Sequence, residues 1–211
     1  MKENAHPFEF VPAGIRKTVL ILFLALALIC MVVFMFILDP PLRTALSPLG
    51  IISFELAWTV PAVSAILGGW DYAASLHAAF GLGFDFLFML GYGLAIGLGT
   101  LLASRRMGKR FSELGKWLGW GVIAAVLFDI IENILLFVIM TRGNYPPYAL
   151  FASLAASLKF VFILLGIVYS LMGLFVRQQP RSGIKKPHSR KARKSVKYSP
   201  TTIEEDERTY R

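Results

Sequence analysis

Four ionisable residues lie inside stretches that are otherwise apolar enough to cross a membrane: Asp85, Asp129, Glu132 and Lys159. A charge in hydrocarbon costs from roughly 3 to more than 10 kcal/mol, so such residues usually face the interior of a helix bundle and pair there. Carboxyl groups can bind protons or cations and can act as general acids and bases. The sequence therefore predicts a polar site within a membrane protein.

Helical spacing indicates that these residues share one cluster. Asp129, Glu132 and Asn133 are spaced i, i+3, i+4 and so lie on one helix face. Tyr92 follows Asp85 by seven residues, which places both on nearly the same face. At 1.5 Å per residue, the four ionisable groups lie about 8 to 16 Å below the same end of their helices. We expect a ligand-binding polar cluster of Asp85, Tyr92, Asp129, Glu132, Asn133 and Lys159.

The charges of this cluster do not balance. Three carboxylates and one ammonium leave a surplus of negative charge, which is unfavourable in a medium of low dielectric constant. Either carboxyl groups bind protons, or a cation enters, or water reaches the site. We expect the cluster to hold at least one proton at neutral pH. The alternative is that an Asp–Lys pair only fixes which helices associate.

Two further residues could form the entrance to the cluster. Glu55 interrupts an apolar segment, and His77 precedes Asp85 by about two helical turns. The alternative for Glu55 is a solvated carboxylate at the membrane surface. His77 stands alone, since His6 and His188 fall in the terminal tails, and zinc sites usually gather several His or Cys ligands. We therefore expect no metal site and no cofactor.

Composition predicts an all-α, polytopic integral membrane protein. The 211 residues are 56% hydrophobic and 17% charged, and a helical span needs about 20 mostly apolar residues. Four transmembrane helices in an antiparallel bundle are expected, the first a retained anchor, at about residues 18–38, 80–103, 117–140 and 149–176. The GLAIG segment, Gly93–Gly97, is a G-x-x-x-G pattern that favours close approach of helices.

The loop of residues 39–79 should form a helical structure on the outer face of the bundle. Within it, residues 48–70 are almost apolar enough to cross the membrane, but Glu55, Pro61 and Gly68–Gly69 interrupt them. We expect one or two short helices that lie on the bundle or dip into it. A fifth span is the alternative.

The distribution of basic residues predicts the orientation. Of the 22 Lys and Arg residues, nineteen fall before the first span, between the second and third, or after the fourth, and only Arg43 and Arg142 fall in the other loops. The positive-inside rule then places both termini in the cytoplasm. Residues 1–17 are expected to be an N-terminal tail, and the cell membrane (plasma or bacterial inner) is the expected location.

The last 35 residues, 177–211, have a different composition from the rest of the chain. They hold eleven basic and four acidic residues and few apolar ones, so we expect a disordered cytoplasmic tail. The high net charge thus indicates contact with anionic lipid rather than nucleic acid; a solvated tail that only fixes topology is the alternative. The basic residues expected to contact lipid are Lys185, Lys186, Arg190, Lys191, Arg193, Lys194 and Lys197.

Three functional hypotheses fit the sequence. The first is a bundle that binds or transports a proton, a cation or a small amphiphile through an outward-facing polar cavity. The second is a structural or partner-binding membrane protein whose ion cluster only holds the helices together. The third is an intramembrane enzyme acting on a lipid-like substrate, which is disfavoured because the sequence has no G-x-S-x-G, phosphate-loop or H-E-x-x-H signature. Self-association is left open, since one chain is short for an inverted-repeat transporter.

Overall fold

A computed structural model describes residues 5–143 and 146–176 of the chain, and all of the regular structure in these ranges is helical. Six α-helices follow one another: α1 (Arg16–Val33), α2 (Ile51–Glu55), α3 (Val60–Gly69), α4 (Tyr72–Ser104), α5 (Lys109–Arg142) and α6 (Pro146–Phe175). Two 3-10 helices occupy Pro7–Phe10 and Pro40–Leu42, and a π-helical turn, Phe34–Leu38, extends α1.

Four of these helices are long and apolar enough to cross a membrane, which confirms the predicted number. They are α1 with its π-helical turn, α4, α5 and α6, with 23, 33, 34 and 30 residues. Helices α4 and α5 each begin eight residues before the predicted span. The early start of α4 has a local cause, because Asp71 caps the helix by accepting a hydrogen bond from Ala74 N at 2.7 Å.

Residues 48–70 form no helix long enough to be a fifth span. Helix α2 has five residues and α3 has ten, so α3 rises only about 15 Å where the hydrocarbon core is about 30 Å thick. Thr59 caps α3 through its side chain, and Pro61 occupies its first turn. Between the two helices Trp58 turns the chain with a φ of +55°.

Helix α4 is central to the packing, since it contacts α1, α5 and α6, while α5 and α6 pack along each other. Helix α4 has close backbone contacts at Gly91, where an added Cβ would lie 2.9 Å from the backbone nitrogen of Ala27 in α1, and at Ala103, whose Cα would lie 2.7 Å from a Cβ added at Gly173 of α6. Gly93 and Gly97, the expected close-approach pair, instead accommodate side chains, those of Val126 and Phe8. The G-x-x-x-G pattern thus lies on a helix that makes close backbone contacts, but those contacts are at Gly91 and Ala103 and not at Gly93 or Gly97.

Apolar clusters close the two ends of the helix assembly. At the end that carries α2 and α3, Phe54 and Trp70 pack with Leu136 of α5 and Ala152 of α6. At the opposite end, the N-terminal segment inserts Phe8 and Val11 against residues of α4 and α5, among them Leu98, Leu101 and Val122. Residues 5–11, expected to belong to a tail, thus pack against the helices.

Candidate functional site

The ammonium of Lys159 lies at the centre of a buried ionic cluster. Its Nζ is 2.7 Å from Asp129 Oδ1 and 2.8 Å from Glu132 Oε2. Lys159 projects from α6, and both carboxyls project from one face of α5, as the i, i+3 spacing predicted. The three residues are 0% to 4% exposed. Three of the predicted residues are therefore in direct contact.

A third carboxyl enters the cluster from the short helix α2. Glu55 Oε2 lies 3.7 Å from Lys159 Nζ, and the residue is only 8% exposed. The sequence suggested Glu55 only as an entrance, because its position depends on α2 folding back over α6. The available signal was that Glu55 is the sole charge in an otherwise apolar segment.

One serine fixes α2 in this position. Ser153 Oγ of α6 donates to Glu55 O at 2.7 Å and accepts from Trp58 N at 2.9 Å. The positive φ of Trp58 allows this geometry, although the left-handed region costs a non-glycine residue about 1–2 kcal/mol. Residues 51–58, which comprise α2 and the turn at Trp58, lie beside Lys159 and are held there by Ser153. We call residues 51–58 the α2 cap.

Glu55 and Glu132 are neighbours, and among the described residues Glu55 Oε2 and Glu132 Oε1 have no hydrogen-bond donor, whereas Glu132 Oε2 faces Lys159 Nζ at 2.8 Å. The two carboxyls interact with each other and share the Lys159 ammonium, at 3.7 Å and 2.8 Å from its Nζ, but two ionised carboxylates have only acceptors. In this ionised form Glu55 Oε2 and both oxygens of Glu132 accept no well-aligned hydrogen bond. A single proton shared between the carboxyls would supply the missing donor.

The electrostatic environment of Glu55 agrees with this. Burial raises the pKa of the Glu55 carboxyl above its ordinary value, and the positive charge of Lys159 opposes that rise. The negative charge of Asp129 adds to it. The neutral form of Glu55 is therefore favoured relative to a carboxyl in water.

Two hydrogen bonds connect α4 to the same region of α5. Tyr92 Oη donates to Asp129 Oδ2 at 2.7 Å. Asn133 Nδ2 donates to Asp85 Oδ2 at 2.7 Å, and Asp85 is only partly buried. The structure thus places each of the six residues predicted for the cluster in an ion pair or hydrogen bond that joins two long helices.

His77, the other suggested entrance residue, has a different environment. Its side chain is partly exposed, and Nδ1 lies 2.8 Å from the Ala73 carbonyl of its own helix. Among residues 5–143 and 146–176, no group of three or more His, Cys, Asp and Glu side chains is arranged to hold a metal ion. The basic residues expected to contact lipid, Lys185 to Lys197, lie outside the described residues.

A second buried polar group lies at the end closed by the N-terminal segment. His6 Nδ1 accepts from Phe8 N at 3.3 Å, and His6 Nε2 is 3.3 Å from Thr100 Oγ1. Burial lowers the pKa of His6 from 6.5 to about 4, which keeps the ring neutral. Thr100 donates to Gly97 O, so its oxygen can accept from Nε2–H.

An apolar layer separates His6 from the ionic cluster. Along α4, Thr100 follows Tyr92 by eight residues, or about 12 Å. Gly166 of α6 lies in this interval against the side chains of Ile96 and Val122.

Comparison of the chain with protein-family models, with characterised proteins and with solved structures gives no significant match. The chemistry of the site must therefore be argued from its own residues.

Proposed function

We propose that this chain is a multi-pass membrane protein that binds a proton in a buried carboxyl site formed by Glu55, Glu132 and Lys159. The observation that carries the proposal is that two buried carboxyls share one ammonium, while Glu55 Oε2 and Glu132 Oε1 have no hydrogen-bond donor among the described residues. Removing all protons would leave four carboxylates, with Asp85 and Asp129, around one ammonium. Such an excess of charge is not stable in a buried site.

The proposal includes a membrane topology. Four antiparallel spans would cross the bilayer, with both termini and the α4–α5 turn in the cytoplasm and the α2 cap on the outer face. The clustering of basic residues supports this orientation. Leu136 near the end of α5 lies in the same buried cluster as Ala78 near the start of α4 and Ala152 near the start of α6, which supports the alternation of direction. The cell membrane remains the proposed location.

A proton suits the site better than the other ligands that the sequence allowed. A metal cation would sit beside the Lys159 ammonium, which already lies 2.8 Å from Glu132, and the two positive charges would repel each other. A small amphiphile would have to displace side chains that are at most 8% exposed. A proton needs no additional space, and it supplies a donor between Glu55 Oε2 and Glu132 Oε1, which have none among the described residues.

The site is better suited to binding from the outer face than to conduction across the membrane. The α2 cap contacts Lys159 through Glu55 on the outer side, whereas an apolar layer of about 12 Å lies between Tyr92 and Thr100 on the inner side. Protonation of Glu55 would weaken its attraction to Lys159 and so couple proton binding to the position of the cap. Transport would need a second conformation that bridges the apolar layer.

Infrared spectroscopy of the full-length protein in lipid vesicles tests the proposal. We expect a protonated-carboxyl band at neutral pH that is lost or shifted in Glu55→Gln and in Glu132→Gln. Glu113→Gln is the matched control, because Glu113 is exposed and pairs only with Lys116 at 2.7 Å, and it should leave the band unchanged. A wild-type spectrum without the band at neutral pH would exclude the proton site.

The structural alternative is favoured by one observation, the 2.7 Å contact between Lys159 and Asp129, which links α5 to α6 without any chemistry. In that case Glu132→Gln should change only stability, and the infrared band should be absent. The enzyme alternative has no equivalent support in the site and is not proposed.

The C-terminal tail is proposed to bind anionic lipid at the inner surface. Seven basic residues between Lys185 and Lys197 support this, at about 1 kcal/mol for each one near the surface. Binding of the full chain to vesicles that contain increasing amounts of phosphatidylglycerol, compared with a variant in which these residues are neutral, tests it.

A further inference from the structure

An apolar groove of about 340 Å³ runs between α4 and α5. Gly93 lines it together with exposed side chains, among them Phe86, Leu90 and Leu127, and Phe8 lines it from the N-terminal segment. Its size is at the lower end of the roughly 300–1,000 Å³ range of small-molecule sites. It is separate from the ionic cluster, and the proposed proton site makes no use of it.

We propose that this groove binds one acyl chain of an anionic phospholipid from the inner leaflet. The headgroup would contact the basic residues of the α4–α5 turn, chiefly Arg105, Lys109 and Arg110. This inference rests on the proposed membrane topology but not on the proton site.

The position of the groove along α5 matches the depth of one leaflet. Its residues on α5 extend from Val122 to Ile130, a rise of about 12 Å, and half of the hydrocarbon core is about 15 Å. Trp117 and Trp120, 74% and 54% exposed, immediately precede this stretch. Exposed tryptophans favour the headgroup level, so the groove begins where an acyl chain would enter the hydrocarbon.

Charge at the same end of the groove supports an anionic headgroup. Arg105 follows Leu94, a groove residue, by eleven positions and so lies on the same face of α4. Its side chain is about half exposed, and its one ion pair among the described residues is a 3.4 Å contact with Glu9. Lys109 and Arg110 are exposed at the start of α5. Each can approach a lipid phosphate without giving up a short ion pair.

The shape of the groove favours a single chain over a helix of a second copy. Phe8 lies at the groove beside Gly97, where an added Cβ would collide with its ring, and so interrupts the surface at the inner end. A partner helix needs an apolar face that continues over several turns. A flexible acyl chain can instead bend around Phe8 toward the headgroup level.

The test measures lipid retained by the full-length protein. Protein is extracted with mild detergent from vesicles that contain equal amounts of phosphatidylcholine and phosphatidylglycerol, and bound lipid is counted by native mass spectrometry. We expect one retained phosphatidylglycerol per chain. Leu127→Trp, which fills the groove, should lower its retention by about tenfold or more. Leu164→Trp is the matched control. Leu164 lies on α6 outside the groove, and it is 61% exposed where Leu127 is 56% exposed.

A second comparison separates the headgroup site from basic residues elsewhere on the chain. Lys109→Ala/Arg110→Ala should lower retention of phosphatidylglycerol by about fivefold for each residue, whereas Arg142→Ala, which changes an exposed basic residue at the opposite end of α5, should not change the count of retained lipid. Equal retention in Leu127→Trp and Leu164→Trp, or retained lipid in the same ratio as the vesicle, would overturn the proposal. A retained second copy in place of lipid would also overturn it.

The quenching of tryptophan fluorescence provides a check that does not depend on the variants. Phosphatidylglycerol with bromine on its acyl chains should quench the wild-type protein more strongly than brominated phosphatidylcholine at the same mole fraction, because Trp117 and Trp120 lie beside the groove. Equal quenching by the two lipids would count against a bound anionic lipid. Extraction of the protein by alkali would instead indicate that the proposed membrane insertion is wrong.

Discussion

Lys159 is the residue on which the ionic cluster depends, because within residues 5–143 and 146–176 it is the one cation in contact with Glu55, Asp129 and Glu132. Buried ion pairs add little to stability compared with well-packed apolar groups, but removing one partner is costly because the other is left uncompensated. The role of Lys159 can therefore be measured by comparing single and double replacements.

Lys159→Met should destabilise the protein by about 3–5 kcal/mol, because three carboxyls lose their counter-charge. The double variant Lys159→Met/Asp129→Asn should recover part of this loss. Thermal unfolding in detergent measures both. Lys116→Met is the control, since its partner Glu113 is exposed and surface pairs contribute less than about 1 kcal/mol. If both variants are as stable as wild type, the cluster does not hold α5 and α6 together.

His6 should give the unfolding free energy a distinct dependence on pH. Burial lowers its pKa from 6.5 to about 4, so between these values the unfolded chain binds the proton more readily than the folded protein. The contribution of neutral His6 to stability is full above pH 6.5 and is lost as the pH falls toward 4. His6→Asn, which can still cap Phe8, should lose less stability over this range. Unfolding curves at pH 7.5 and 4.5 test this, and equal losses in the two proteins would contradict it.

At the scale of helices, the sequence predicted what depends on local pattern and missed what depends on distant contacts. Long apolar runs predicted the four long helices, and i, i+3 spacing placed Asp129 and Glu132 on one face. Glu55 reaches Lys159 only because Ser153, 98 residues away, bonds to its backbone carbonyl. The insertion of Phe8 between α4 and α5 likewise could not be predicted from local composition, since the segment of residues 1–17 is short and mixes apolar with charged residues.

The contact of α1 with α4 should depend on a single hydrogen atom at position 91. Gly91→Ala places a methyl group 2.9 Å from Ala27 N, and such overpacking typically costs about 1–3 kcal/mol. Gly83→Ala is the matched control on the same helix, because nothing lies within 4 Å of an added Cβ there. It should be neutral or stabilise the protein by up to about 1 kcal/mol. Thermal unfolding of the two variants side by side would show whether the close approach exists.

For the whole molecule, the proposed topology predicts which positions face the outside of the cell, and labelling of single cysteine variants tests this. Cys30 is buried, so it should give little background with a membrane-impermeant thiol reagent. In intact cells Leu46→Cys, near the α2 cap, should be labelled, whereas Gly108→Cys, in the α4–α5 turn, should be labelled only after the membrane is opened. Both positions are exposed, and the reverse pattern would invert the orientation.

Helix α1 differs from the other long helices in that only 11% of its apolar window is buried, and α4 supplies most of its packing partners. During synthesis α1 leaves the ribosome well before α4, so in the proposed topology it would enter the bilayer and persist there without a partner. Its span carries no charge between Lys17 and Asp39, and so nothing in it needs neutralising by a neighbour. Helices α4, α5 and α6 each carry an ionisable group within the proposed span, so each needs a neighbouring helix to pair with that group. The order of synthesis therefore matches the order in which the helices can tolerate lipid alone.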